Sequence, residues 1–252
     1  MRSPRCKAGP QGATAPARWP WHRRAATKQL GRCALLLTAH LFATPAAAQL
    51  GGSLTLSSQT RLRGQPISDH RPVAELEMVH DGDEGFYLGA AAALVATRDE
   101  GLKPLSFRPY AGFAKHLSDA ATIDVGIVHN RYSGYSAING GGSYTEAYVG
   151  IAGRHVSGRL YLSPAYFLRD APTLYMELNG HLGLARNWTL VGHAGRLTFL
   201  KDRPDSYAGD ATDWRLGLRR RLGRVDLDVA WTGQDGQHGA EGALVIALAF
   251  AL

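Results

Sequence analysis

The sequence predicts an all-β protein, a closed antiparallel transmembrane β-barrel of about twelve strands that follows a cleaved leader. Three observations carry this expectation. Beyond Gly52, apolar and polar residues alternate with a period of two. The connections between the alternating segments are by turns long and short. No apolar run beyond the leader is long enough for a spanning helix, the longest being Gly242 to Leu252. In hydrocarbon every backbone N–H and C=O must be paired internally, so a chain without such helices can cross only as a closed sheet.

The leader is residues 1–48. It holds Arg2, Arg5, Lys7, Arg18, Arg23, Arg24, Lys28 and Arg32 and no acid, then the apolar run Ala34 to Ala43, then Ala46-Ala47-Ala48. A basic start, a short apolar stretch and a small-residue exit form a secretory signal, cut here before Gln49. Its basic region is long, a length that an over-extended gene start would also produce. Removing it takes eight of the 28 basic residues and leaves all 21 acids, so the formal charge of +7 becomes −1. The basic balance of the whole chain is therefore no argument for nucleic acid. Both cysteines, Cys6 and Cys33, leave with the leader. An exported chain without cysteine has no disulfide framework, and residues 49–252 must be held by a core or by a closed hydrogen-bond network.

Twelve alternating segments follow, at 53–63, 73–80, 85–96, 105–115, 122–132, 143–152, 156–168, 173–184, 188–198, 213–222, 225–232 and 243–252. In 173–184, Leu174, Met176, Leu178, Leu182 and Leu184 share one face while Tyr175, Glu177, Asn179 and His181 share the other. In 105–115, Leu105, Phe107, Pro109, Ala111 and Phe113 oppose Ser106, Arg108, Tyr110 and Gly112. In 156–168, Leu160, Leu162, Pro164 and Tyr166 oppose Arg159, Tyr161 and Ser163. Tyr148 and His193 leave the choice of face open in their segments. The odd-numbered connections average about 9 residues and the even-numbered about 4, as expected of long extracellular loops and short periplasmic turns. The seventh, Arg169 to Pro172, is the exception. Phe86, Phe107, Phe113, Tyr132, Tyr144, Tyr166, Trp214, Trp231 and Phe250 stand near segment ends, where interfacial girdles would place them.

The stretch RLRGQPISDHRPVAELEMVHDGDEGFYLGA, Arg61 to Ala90, together with IDVGIVHNRYSG from Ile123 and YTEAYVGIAG from Tyr144, resembles the TorF-type putative porin family of proteobacteria. There a strand ends in Arg-aromatic-Arg-Gly, and Leu62 replaces the aromatic here. The likeness covers most of residues 53–160. It implies an outer-membrane barrel and, by the family's provisional name, passive passage of solutes; it carries no catalytic residues. The chain also departs from the barrels that close on a terminal aromatic, since it ends Phe250-Ala251-Leu252.

Any function must lie on the polar face. That face carries Arg61, Arg63, Arg108, Arg159, Arg215, Arg219 and Arg221 against Glu75, Glu77, Asp124, Glu146, Glu177, Asp226 and Asp228, with Tyr110, Tyr161 and His181 beside them. These are the candidate pore-lining residues. A water-filled lumen lined by charge would pass small polar solutes or ions. A balanced set can equally pair off and fill a narrow interior, leaving a structural or binding barrel that acts through its loops. Both readings stay open. A third, a soluble periplasmic barrel with the faces reversed, would have to absorb twelve apolar stripes in one core, more than a closed barrel holds.

No enzymatic activity is expected. The sequence has no Gly-x-Ser-x-Gly elbow, and His181 with Glu177 and Asn179 reads as a row of lumen polars. His80 to Glu84 lacks the length and the distal glutamate of a calcium loop, and Gly140-Gly141-Gly142 has no lysine or helix after it to make a phosphate cradle. No metal or cofactor is expected. The expected partners are outer-membrane lipid, small polar solutes or ions, and the barrel-assembly machinery during biogenesis, with no nucleic acid.

Overall fold

A computed structural model describes residues 49–134, 141–167, 171–201, 209–235 and 242–252; the expected leader lies outside them. The described elements are β1 (Gln49–Ser57), β2 (Arg61–Leu62), β3 (Gln65–Pro66), β4 (Val73–Asp81), β5 (Phe86–Ala96), β6 (Leu102–Ser118), β7 (Ala121–Tyr132), β8 (Gly142–Ala152), β9 (Val156–Ser163), β10 (Thr173–Ala185), β11 (Trp188–Phe199), β12 (Ala211–Leu222), β13 (Val225–Asp235) and β14 (Ala243–Ala251). β1 and β4 to β14 form a closed antiparallel barrel, and β2 with β3 forms a separate two-stranded hairpin. The barrel closes where β1 pairs with β14, from Ser53 opposite Ala251 to Ser57 opposite Ala247. Twelve strands make the wall, the number that the alternation predicts.

Alternation decides which face is which. On β5 and β10, Leu88 and Leu178 are 60% and 56% exposed, whereas their chain neighbours Tyr87 and Glu177 are each 7% exposed. The leucines cover the outside and the tyrosines and charges fill the inside, the inverse of a soluble protein and the arrangement that hydrocarbon demands.

Two boundaries and one face depart from expectation, each for a local reason. The first segment does not run to residue 63: β1 ends at Ser57, and Arg61 and Arg63 belong to the β2–β3 hairpin instead. Arg63 itself has a left-handed backbone, with φ of 48°, which no strand residue adopts. The seventh segment stops at Ser163, so the connection that looked too short is in fact 164–172. With that change every odd connection is longer than every even turn. Finally, Leu105 is not on the outer face. The register of β5 with β6 shifts between Ala93 and Leu94, from Ser106 to Pro104, so Leu105 is the extra residue of a bulge and turns inward, fully buried.

The aromatic girdle is partly redrawn. Phe86, Phe107, Trp214 and Trp231 are exposed on the outer wall, and Phe86 packs its ring on Phe113 at 4.9 Å. Tyr132 and Tyr144 are buried in an interior cluster with Leu62, Ile67, Val73, Val95 and Leu105, and Tyr166 and Phe167 pack against it. They belong to the stopper at the long-loop end of the barrel.

Candidate functional site

The site is the lumen. Period-two alternation in a closed sheet aims every second side chain at one axis, so residues far apart in sequence meet there. The inward row of β8 is Tyr144, Glu146, Tyr148 and Gly150, all buried. This resolves the face of Tyr148; His193 also faces inward, bonding to Asn179 and Asp213.

Tyrosines make the lumen narrow. Tyr87, Tyr110, Tyr148, Tyr161 and Tyr175 form one buried belt with Val79, Val128 and Leu197. Three of the five rings have a cross-strand glycine, Tyr148 pairing with Gly126. Gly112 pairs with Tyr87 and Gly89 with Tyr110; a Cβ on Gly112 would stand 2.4 Å from the Tyr87 hydroxyl.

The charges are paired around the belt. Arg159 bridges to Asp124, which also accepts from the Tyr87 hydroxyl at 2.5 Å, and Tyr87 in turn bonds to Tyr148. Arg159 Nη1 donates to Tyr161 at 3.4 Å, Tyr161 donates to Glu177 at 3.3 Å, and Asn179 donates to the same Glu177 oxygen. Asn179 meets His193 Nδ1 at 2.7 Å, and His193 Nε2 lies 2.9 Å from Asp213, which also takes the Tyr175 hydroxyl. The chain of bonds thus runs from β5 to β12 without a gap. On its flanks, Arg108 grips both oxygens of Glu75 at 3.1 and 3.0 Å, and Tyr110 donates to Glu77 at 2.6 Å. Arg215 and Arg219 share Asp228, and Arg221 holds Asp226 through two 2.6 Å bonds.

The β2–β3 hairpin crosses this space. Its turn, Gly64, reaches β12 and β13 so closely that a Cβ would stand 2.6 Å from Gln234 Cβ and 2.9 Å from Asp213 Cβ. Arg61 folds back, donating Nε to the Gly64 carbonyl at 2.7 Å. Arg63 donates to Glu146 at 2.5 Å, and its guanidinium lies over the rings of Tyr175 at 4.1 Å and Tyr166 at 4.9 Å. Burial opposes the charge on Arg63, but Glu146 and the flanking phenols hold its pKa well above the ordinary value. At the base of the hairpin Thr60 N donates to Ser68 Oγ at 3.0 Å, and Ser68 Oγ donates to the Arg71 carbonyl at 2.9 Å. Leu62 and Ile67 complete the seal against Tyr132 and Tyr144.

Below the hairpin a cavity of about 90 Å³ remains, walled by Arg61, Arg63, Arg108, Arg215, Glu77, Glu146, Glu177 and Asp213 among others. This is several times the roughly 10–15 Å³ that admits a single water, so the chamber holds a small cluster of them.

The sequence-derived residues therefore fall into three positions. Arg61 and Arg63 are on the hairpin. Glu75, Glu77, Arg108, Tyr110, Asp124, Glu146, Arg159, Tyr161, Glu177, Arg215, Arg219, Arg221, Asp226 and Asp228 are on the inner wall and share its ion pairs and hydrogen bonds. His181 stands apart near the short-turn end, its ring 5.6 Å from that of His155. Sequence reasoning missed Asp213, His193, Tyr87 and Tyr175 as partners. Two of them carried a signal, since Tyr175 has the parity of Glu177 and Asp213 that of Arg215; β5 has no charged residue beside Tyr87, and the one charge on β11, Arg196, has the opposite parity to His193.

Solved structures place the fold. The NanC porin matches with a TM-score of 0.55 at 11% identity, over 81% of this chain and 100% of that one. The KdgM porin matches with a TM-score of 0.53 at 11% identity, over 80% of this chain and 99% of that one. KdgM in complex with disordered oligogalacturonate matches with a TM-score of 0.50 at 12% identity, over 80% and 99%. The shared property is the barrel of outer-membrane porins. None of the curated proteins compared matches the sequence. Residues 43–245 match the family described as "Bacterial protein of unknown function (Gcw_chp)", and the chain belongs to that family.

Proposed function

We propose that this protein is a narrow outer-membrane channel of the TorF-type putative porin kind, passing ions and the smallest polar solutes, and that residues 1–48 are a signal peptide removed on export. The observation that carries the reading is the inversion of the barrel, with leucines outside and a charged chamber of about 90 Å³ inside. Pairing of the wall charges and the crossing hairpin set the gauge. KdgM has been solved with a disordered oligogalacturonate; a chamber of this size admits no saccharide unless the hairpin moves. The lumen residues act by lining the path, not by catalysis, and lipid is the barrel's surrounding partner.

One observation favours a second reading. Because the hairpin reaches from β1 to β12 and β13, the barrel could stand shut and work through its long connections. Liposome swelling separates the two. Proteoliposomes of refolded protein should admit water-sized and glycerol-sized solutes and exclude disaccharides. Swelling no faster than protein-free liposomes with every solute would leave the shut barrel standing.

A further inference from the structure

We propose that Arg215 is the specificity-determining residue of the lumen, an anion-favouring septum between the chamber beneath the hairpin and the short-turn end of the barrel. The proposal deepens the channel reading and rests on it.

Arg215 lines two cavities. One is the chamber of about 90 Å³. The other, about 10 Å³, lies beyond it and is walled by Thr55, Arg219, Asp226, Asp228, Ala247 and Ala249. No other residue lines both, so a particle leaving the chamber on this side passes the Arg215 guanidinium. The second cavity would hold a single water at most, which makes this the narrow point.

Charge at that point is uneven. Arg215 Nη2 and the Arg219 guanidinium both bond to Asp228, Arg219 at 3.2 and 3.0 Å. Two cations share one carboxylate, leaving one excess positive charge. The adjacent Arg221–Asp226 pair is matched one to one and cancels. Arg215 Nε has no hydrogen-bond partner among the described residues and is itself buried, so the guanidinium acts on a passing ion through its charge. Opposite, β1 and β14 present only Thr55, Ala247 and Ala249 to the cavity. These small side chains carry no charge to offset the excess and leave the open side of the passage. A ring of excess charge at a constriction selects the opposite ion, here a small inorganic anion such as chloride.

The test is the zero-current potential of single channels in a planar bilayer under a KCl gradient. The unaltered protein should reverse toward the chloride equilibrium potential. Arg215→Gln should lower the chloride-to-potassium permeability ratio several-fold, Arg215→Lys should keep it, and Asp228→Asn, which removes the shared carboxylate, should raise it. Arg220→Gln makes the same charge change on the exposed outer wall, where Arg220 lies over Trp188, and should change nothing. A conducting Arg215→Gln channel with an unaltered reversal potential overturns the septum and leaves the channel reading intact. Should Arg215→Gln fail to give a heat-modifiable band, an Asp228→Asn channel with unshifted selectivity overturns the septum in its place. An unaltered protein that inserts and never conducts overturns the channel reading and the septum together.

Discussion

Arg63 on the inturned hairpin donates to Glu146 on β8 at 2.5 Å, with side-chain exposures of 8% and 4%. The pair ties a segment that precedes most of the barrel to a strand on its far side, so it forms only when the wall is complete. A desolvated pair is weak evidence of net stabilisation, but removing one partner alone typically costs about 3–5 kcal/mol. The hairpin has a cheaper escape, because it can leave the lumen and let Arg63 regain water. Its backbone favours release: Arg63, Asp69 and His70 have φ of 48°, 51° and 55°, left-handed values that cost non-glycine residues of order 1 kcal/mol each.

Glu146→Ala should therefore eject the hairpin while the barrel persists. Trypsin reads this directly, since Arg61 is 3% exposed in the closed form and a released hairpin offers both arginines. Folded wild-type protein should resist cleavage after residues 61 and 63, and Glu146→Ala should yield fragments beginning at Leu62 and Gly64. Equal resistance of the two proteins would refute the latch.

Gly112 is expected to tolerate no side chain. With the Tyr87 hydroxyl 2.4 Å from where a Cβ would stand, Gly112→Ala must lift the ring off the wall and break its bond to Asp124. Overpacking of this kind costs about 1–3 kcal/mol. The heat needed to lose the compact gel band should fall accordingly. Tyr87→Phe, which keeps the ring and drops one hydroxyl, should cost less, near 1 kcal/mol.

The Arg108–Glu75 pair should behave as a unit. Glu75→Leu leaves Arg108 buried without the carboxylate that takes two of its bonds, and the loss should approach 3 kcal/mol. The double change Arg108→Leu with Glu75→Leu should recover most of it. Additive losses in urea titrations of the three variants would rule out coupling.

Export makes a further expectation. The expected signal ends in Ala46-Ala47-Ala48, so mass spectrometry of protein from outer membranes should find Gln49 at the N-terminus. A start well inside β1 would remove residues that pair with β4 and would contradict the assigned cut.

Much of this was legible in the sequence because hydrocarbon tolerates few exceptions to alternation. β10 illustrates it: Leu178 goes out and Glu177 in as the pattern requires. The first hairpin misled because Leu62 has the parity of Leu54 and Leu56, although the polar run Ser57-Ser58-Gln59-Thr60 between them already breaks the alternation. Leu105 misled because a bulge inverts parity by one residue and has no compositional mark beyond the neighbouring Pro104. Tyr144 and Tyr166 could not be told from girdle residues, since an aromatic at a strand end suits a membrane interface and a plugged mouth equally well. Asp213 went unseen beside Arg215 because it opens a segment, where the face is least constrained. Partner choice was not legible at all. Which arginine meets which carboxylate depends on register and on the hairpin's inward path, neither of which alternation encodes.

The central claim is that an inturned hairpin sets the gauge of an otherwise passable barrel, and single-channel conductance in a planar bilayer tests it most directly. Replacing residues 59–70 with a short glycine-serine link should leave the heat-modifiable barrel intact and raise conductance several-fold over the small value of the unaltered protein. Equal conductance with and without the hairpin would contradict it.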